Sequence, residues 1–249
     1  MTELNIVAAT SGDTGGAVVS GFYGLPNIKV FILYPSKRIS KLQEQQIAAW
    51  GGNIAALEVK GDFDDCQKLA KRALNDPELR KQINLSSANS INIGRLLPQM
   101  YYYFVALAKL ATSQDVNFVV PSGNFGNLTA GLLAKKIGLP INKFIAAVNI
   151  NSQIPKYLKT GQLTQNKTRL TLSNAMDVGS PSNWARIMDL YSGDRTAIAK
   201  DLEAITVTEA ETKKTINEVY KKYHYIADPH TAVGLAAARE VERDREPVL

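Results

Sequence analysis

The sequence predicts an α/β protein of two lobes, each a mainly parallel sheet sandwiched between helical layers. Three observations lead there. Short apolar runs alternate with longer amphipathic stretches along the chain, the pattern of repeated βαβ units. Two glycine-bearing turns, ATSGDTGG and VPSGNFGN, each join an apolar run to a helical one. The polar run SSANSIN breaks the alternation near Leu85–Ser87, dividing residues 1–86 from residues 87–249.

The elements follow in order. Asn5–Ala9 (NIVAA) reads as a buried strand, Thr14–Tyr23 as a helix and Ile28–Tyr34 (IKVFILY) as a second strand. Lys41–Trp50 is helical by the spacing of Leu42, Ile47 and Trp50, and Gly51-Gly52 ends it. Ile54–Val59 is a third strand. Asp64–Leu74 is a helix with Leu69, Ala70, Ala73 and Leu74 on one face. In the second lobe Ile93–Leu110 is a long helical pattern interrupted at Pro98. Asn117–Val120 is a strand, Leu128–Ile137 a helix and Phe144–Ile150 a strand. Lys156–Thr171, rich in Thr, Gln and Asn, reads as an exposed loop. Trp184–Tyr191 and Glu209–Tyr223 are helical. Asp228-Pro229 reads as a cap and first helical residue of a helix running to Glu240.

Composition narrows the function. The 249 residues are 45% hydrophobic and 21% charged, which is globular composition and excludes general disorder. Lys and Arg exceed Asp and Glu by 29 to 23, but no basic run is longer than two residues. That charge suits an anionic small molecule and argues against a dedicated nucleic-acid surface. A single cysteine, Cys66, and two histidines, His224 and His230, cannot build a structural zinc site or an internal disulfide. No stretch reaches the ~20 apolar residues of a membrane span, and no secretory signal is visible, so the expected location is cytoplasmic.

The two glycine-bearing turns carry the chemistry. Glycine lets backbone approach a ligand, and the following helix presents unpaired N–H groups and the positive end of its dipole. Such turns suit phosphate or carboxylate, and neither fits the dinucleotide or nucleoside-triphosphate fingerprints. Read alone, each is also compatible with an ordinary strand-to-helix turn. In Ser87-Ala88-Asn89-Ser90-Ile91-Asn92-Ile93-Gly94-Arg95, Asn and Ser side chains lead into a helical turn bearing an arginine, a group able to grip phosphate bidentately. The bland alternative is a helix cap with a solvated arginine.

Together ATSGDTG, Gly61–Asp64 (GDFD), SANSINIGR, PSGNFGNLTAGLLAKKIGLP, LSNAMDVGSPSNW and DPHTAVG resemble the threonine synthase family. These are pyridoxal-phosphate enzymes of the tryptophan-synthase β-subunit fold, fold type II. The resemblance implies pyridoxal 5′-phosphate as cofactor and conversion of O-phospho-L-homoserine and water to L-threonine and phosphate. It makes Gly123, Asn124, Phe125, Gly126 and Asn127 the loop around the cofactor phosphate. It sets Ser11, Gly12, Asp13 and Thr14 beside the amino-acid part of the substrate. Thr14, Asn89, Ser90 and Arg95 match the residues that hold the substrate phosphate. Residues 1–86 would then be the smaller lobe with the substrate loop, and residues 87–249 part of the cofactor lobe.

The sequence departs from the family in one respect. The Schiff-base lysine is expected upstream of ATSGDTG, whereas the first lysine here is Lys29. The start just before a core strand and the end at Pro247-Val248-Leu249 read as those of an internal piece, inactive by itself. Two alternatives stay open: a non-catalytic phosphate-binding module, and a pyridoxal-phosphate lyase acting on serine or threonine. Arg95 speaks against the second, since a neutral hydroxyl side chain needs no second phosphate clamp. Cys66 is expected to be a buried structural thiol, Tyr101–Tyr103 to serve in packing, and His230 to start a helix. Asn174, Asp177, Ser180 and Asn183 are expected to line the substrate entrance, with no specific contact assigned.

Overall fold

The computed structural model describes residues 3–10, 13–110, 116–164 and 167–242. The chain divides into two units, Met1–Arg95 and Leu96–Leu249. Ser87–Arg95 thus goes with the first unit, whereas the sequence reading placed the division at 86/87.

The first unit comprises β1 (Leu4–Ala9), α1 (Asp13–Phe22), β2 (Ile28–Pro35), α2 (Lys41–Ala48), β3 (Ile54–Val59), α3 (Phe63–Asn75), α4 (Pro77–Gln82), β4 (Asn84–Ser87) and a 3-10 turn at Ile93–Arg95. Its sheet runs β3-β2-β1-β4, with every pairing parallel. The period of two along a strand sends alternate side chains to opposite faces. Ile6 and Ala8 of β1 join Val18, Val19, Ile32 and Ile47 in one core, while Val7 and Ala9 join Leu33, Cys66 and Ala70 in the other. Helices therefore cover both faces, as the βαβ alternation requires. Capping boxes start α2 (Ser40 with Gln43) and α3 (Asp62 with Asp65). Cys66 is fully buried, and burial pushes its thiol up to about 11, so it is a packing residue.

The second unit comprises α5 (Leu96–Leu110), β5 (Val116–Pro121), α6 (Gly126–Lys136), β6 (Ile141–Val148), α7 (Gln153–Thr160), a 3-10 turn at Asn174–Met176, α8 (Trp184–Leu190), α9 (Arg195–Asp201), β7 (Leu202–Thr206), α10 (Glu209–Tyr223) and α11 (Pro229–Glu242). The strands pair in the order β5-β6-β7, again parallel. Phe118, Phe144 and Ala146 face Tyr103, Leu128, Leu132 and Ile187 on one side. Ile145, Ala147 and Ile205 face Val233 and Ala237 of α11 on the other.

Several elements differ from the sequence reading. Pro98 does not interrupt α5, because it lies in the first helical turn, where its missing N–H has no partner to lose. The segment expected to be exposed loop begins in α7, whose Pro155 likewise sits in the first turn. Tyr103 is buried edge-on against Phe118 and Phe144 at 5.1 and 5.3 Å, whereas Tyr101 and Tyr102 are exposed. Among the described residues no helix is long and apolar enough to cross a membrane.

Candidate functional site

The loop of the second unit leaves the carboxyl end of β5 and enters α6, the edge of a parallel sheet where ligands of α/β proteins gather. Its side chains are turned to internal work. Asn127 accepts from the Ser122 hydroxyl (2.7 Å) and donates to the Pro121 carbonyl (2.9 Å). Asn124 accepts from the N–H of Ser182 (2.7 Å), and its carbonyl accepts from the Asn183 amide (3.0 Å). The Ser122 N–H donates to the Ala147 carbonyl on β6 (3.0 Å), and Tyr103 donates to the Asn127 carbonyl (2.8 Å).

Phe125 occupies the N-cap position of α6 in the left-handed conformation, φ 61°, a costly choice for a residue with a Cβ. Its ring is buried and meets Trp184 edge-on at 5.9 Å, so packing holds the strained backbone in place. It supplies no side-chain cap to the helix. A helix of 11 residues therefore starts at the sheet edge with no side-chain bond from its N-cap residue, and of its first-turn amides that of Leu128 donates to the Asn127 side chain (2.9 Å). Gly123 lies against other backbone: a Cβ there would stand 2.5 Å from Met176 Cα and 2.8 Å from its carbonyl oxygen.

The loop of the first unit is partly described. Ser11 and Gly12 lie outside the described residues. Asp13 opens α1, and Thr14 is exposed in its first turn. Gly15 donates to the Thr10 hydroxyl (2.9 Å) and lies against Ile47, so α1 and α2 meet there without room for a side chain.

The Ser87–Arg95 segment wraps the end of β1. Asn89 accepts from the Ala9 N–H (2.7 Å) and donates to the Ala9 carbonyl (2.6 Å), extending the β4 pairing by one side chain. Ser87 donates to the Val7 carbonyl and Asn92 to the Ser87 carbonyl. Arg95, half-buried, donates from Nη1 to the Ala88 carbonyl (2.5 Å). Asn89 is thus a strut of the loop, and one arm of the Arg95 fork is spent locally. Ser90 is half-buried in the same segment.

Residues given no contact by the sequence reading form a hydrogen-bonded group next to the Gly123–Asn127 loop. Asp177 accepts from Thr171 Oγ1 (2.7 Å), Asn149 (2.9 Å) and Asn151 (3.1 Å) at one oxygen, and from the Thr171 N–H (2.8 Å) at the other. Burial pushes its carboxyl above the ordinary range, against the pull of those bonds. His230 starts α11 with Asp228 and also accepts the Ala175 N–H at Nε2 (3.2 Å). A sequence signal for this group existed: NAMDVGSPSN and DPHTAVG are dense in short hydrogen-bonding residues. The partners, more than 50 residues away for His230 and Ala175, could not be read from it.

Residues 2–247 match the family described as pyridoxal-phosphate dependent enzyme. The chain belongs to this family. The pyridoxal-phosphate enzymes that it resembles by sequence include threonine synthase of Escherichia coli (strain K12), 49% identical over 239 residues, which are 95% of this chain and 55% of that protein. Threonine synthase of Saccharomyces cerevisiae is 38% identical, covering 98% of this chain and 56% of that one. The crystal structure of the Escherichia coli threonine synthase superposes with a TM-score of 0.90 at 48% identity, covering all of this chain and 58% of that one. The pyridoxal-phosphate-bound threonine synthase of Brucella melitensis gives 0.87 at 36% identity, covering 99% and 59%. Serine racemase of Dictyostelium discoideum, 18% identical with a TM-score of 0.71, shares the fold. The chain spans somewhat more than half the length of the threonine synthases it matches.

The residues present fit the phosphate of this family's cofactor. The start of α6 lacks an N-cap side-chain bond, Gly123 permits a close-packed loop, and the asparagine side chains are directed into the protein. Backbone N–H groups at a helix start are what such a loop presents to an anion, the Leu128 N–H being already bonded to Asn127.

Proposed function

We propose that this chain provides the anion-holding machinery of a threonine synthase, which converts O-phospho-L-homoserine and water to L-threonine and phosphate. The observation that carries the reading is the braced start of α6 at the edge of the β5-β6-β7 sheet, in a chain 49% identical to a threonine synthase. Gly123, Asn124, Phe125, Gly126 and Asn127 hold the phosphate of pyridoxal 5′-phosphate through the loop backbone and the helix dipole. The cofactor, when bound, supplies an electron sink for carbanion chemistry on the amino acid.

In the first unit, Ser11, Gly12, Asp13 and Thr14 face the amino-acid part of the substrate. Thr14, Ser90 and Arg95 hold its phosphate, and Asn89 sets their loop against β1. Arg95, with one arm on the Ala88 carbonyl, keeps the rest of its planar fork for a phosphate oxygen. Preformed donors around a departing phosphate stabilise its growing charge.

The test uses a chimera in which these residues replace the matching segment of the Escherichia coli threonine synthase. Phosphate release from O-phospho-L-homoserine is the expected activity. Arg95→Ala should lower kcat/KM by about tenfold to a hundredfold, the loss of a charge-assisted bond of roughly 1.5–3 kcal/mol, with cofactor affinity unchanged. Arg95→Lys should recover only part, since an ammonium lacks the fork. An inactive chimera would remove the threonine synthase reading, and unchanged kinetics for Arg95→Ala would return that residue to a structural role.

A further inference from the structure

The loop Gly123–Asn127 rests on a turn that does not support itself. Gly123 packs on the Met176 peptide, with no space for even a methyl group. Met176 ends the three-residue 3-10 turn Asn174–Met176, closed by Met176 N–H to the Ser173 carbonyl (2.9 Å) and Asp177 N–H to the Asn174 carbonyl (3.0 Å). Turns this short have poor hydrogen-bond geometry and depend on their surroundings.

Two side chains tie this turn to the rest of the unit from different elements. Asp177 follows the turn directly, and its four bonds reach Asn149 and Asn151, just beyond β6, and Thr171. His230 reaches the middle of the turn from α11 and accepts the Ala175 N–H. Its other ring nitrogen lies 3.0 Å from Asp228, which places the proton on Nδ1 and leaves Nε2 as acceptor. The β6 end that anchors Asp177 is also the end whose Ala147 carbonyl receives the Ser122 N–H. Loop and turn are therefore referred to one strand end.

We propose that Asp177 and His230 are positioning residues for the anion loop: they fix the Asn174–Met176 turn where the Met176 peptide closes on Gly123. The bearing of this on cofactor binding rests on the reading of that loop as the phosphate cradle. The positioning itself does not.

The chemistry at Asp177 is specific for a carboxylate. Four donors converge on its two oxygens, and an asparagine offers one acceptor oxygen and one NH2 group. In either orientation its NH2 meets donors: the Thr171 N–H on one side, the Asn149 and Asn151 amides on the other. Burial pushes the Asp177 carboxyl up while its hydrogen bonds with Thr171 and Asn149 pull it down, so these donors offset part of the cost of burying it. A glutamine at 230, by contrast, keeps an oxygen able to accept from Ala175.

The test is amide hydrogen exchange on the full chain, read beside the near-ultraviolet circular dichroism of Trp184, whose ring packs on Phe125. It is made in a Trp50→Phe background and read at the long-wavelength edge of the band, where the remaining tryptophan, Trp184, dominates over the tyrosines. Asp177→Asn and His230→Ala should speed exchange over residues 122–127 and 173–178 by about tenfold or more. They should weaken the Trp184 signal, leave β5 and β6 protected, and keep the thermal midpoint within a few degrees. His230→Gln should restore protection. If Asp177→Asn fails to fold, Thr171→Val, which removes one hydroxyl from Asp177, should give the same local pattern more weakly. Unchanged exchange over 122–127, or an even loss of protection across the second unit, would overturn the proposal. Titration with pyridoxal 5′-phosphate is read separately. A parent chain that binds none refutes the phosphate reading, while exchange alone decides the positioning.

Discussion

At residue 123 the glycine is required by a neighbour. Its missing Cβ would stand 2.5 Å from Met176 Cα, and backbone cannot step aside as a flexible side chain could. Gly123→Ala should therefore destabilise the chain by about 1–3 kcal/mol, the range for overpacking, measured by denaturant unfolding. It should also weaken pyridoxal 5′-phosphate binding. A variant as stable as the parent would mean that the Met176 turn yields freely. The glycines and asparagines of this loop were visible in the sequence as a glycine-bearing turn between an apolar run and a helix. The long-range contacts of Asp177 and His230 were not, because they join α11, the Asn174–Met176 turn and the residues after β6, which only the fold brings together. Asn89 shows the reverse case: the residue was visible, but its side chain is committed to Ala9 in forming the loop.

Among the elements, those with clear apolar periodicity and turn residues were predicted, and those held by context were missed. β4 is a four-residue, mostly polar strand whose pairing with β1 uses backbone. β7 follows α9 without an intervening breaker, so no sequence signal separates Asp201 from Leu202. The start of α11 was legible, because Asp228-Pro229 is a capping signature, and its acid dependence follows. Burial alone would raise the Asp228 carboxyl. Hydrogen bonds from the Thr231 hydroxyl, the His230 ring and the N–H groups of both residues outweigh that and hold it at about 2, against an ordinary 3.8. A carboxyl with a lowered folded value contributes stability above its unfolded value and loses it as pH falls through the folded one. Asp228→Ala should cost about 1 kcal/mol near neutrality, as loss of a cap does. The difference from the parent should shrink from about pH 4 toward pH 2 in urea unfolding series. A difference that does not change over that range would show that the cap acts without its charge.

On the scale of the whole chain, parallel sheets with helical crossovers give each unit a polarity: the two glycine-bearing loops leave the carboxyl ends of β1 and β5, and four lysines of β2, α6 and β6 are engaged elsewhere. Lys29, near the start of β2, pairs with Glu3 at 3.1 Å, and Lys143, near the start of β6, lies 3.8 Å from Glu203. Lys135 pairs with Asp201 at 2.7 Å and Lys136 sits over the Tyr191 ring at 4.1 Å. Both belong to the last turn of α6, and nine residues at 1.5 Å place Lys135 about 14 Å along the helix from Gly126. A phosphate held at the helix start therefore leaves the pyridoxal ring out of reach of these amines. The formal charge of +6 and the exposed lysines of α7 and α10 still offer weak, scattered sites for an anionic aldehyde. Borohydride reduction after incubation of this chain with pyridoxal 5′-phosphate should label several surface lysines, each far below one equivalent, and added salt should suppress the labelling as it screens surface charge. Binding at the loop, read by Trp184 fluorescence, should fall less with salt, because amides at a partly buried helix start are screened less than exposed ammonium groups. One lysine labelled stoichiometrically on peptide mapping would show that a resident amine reaches the ring, and the separation of phosphate holding from covalent attachment would fail.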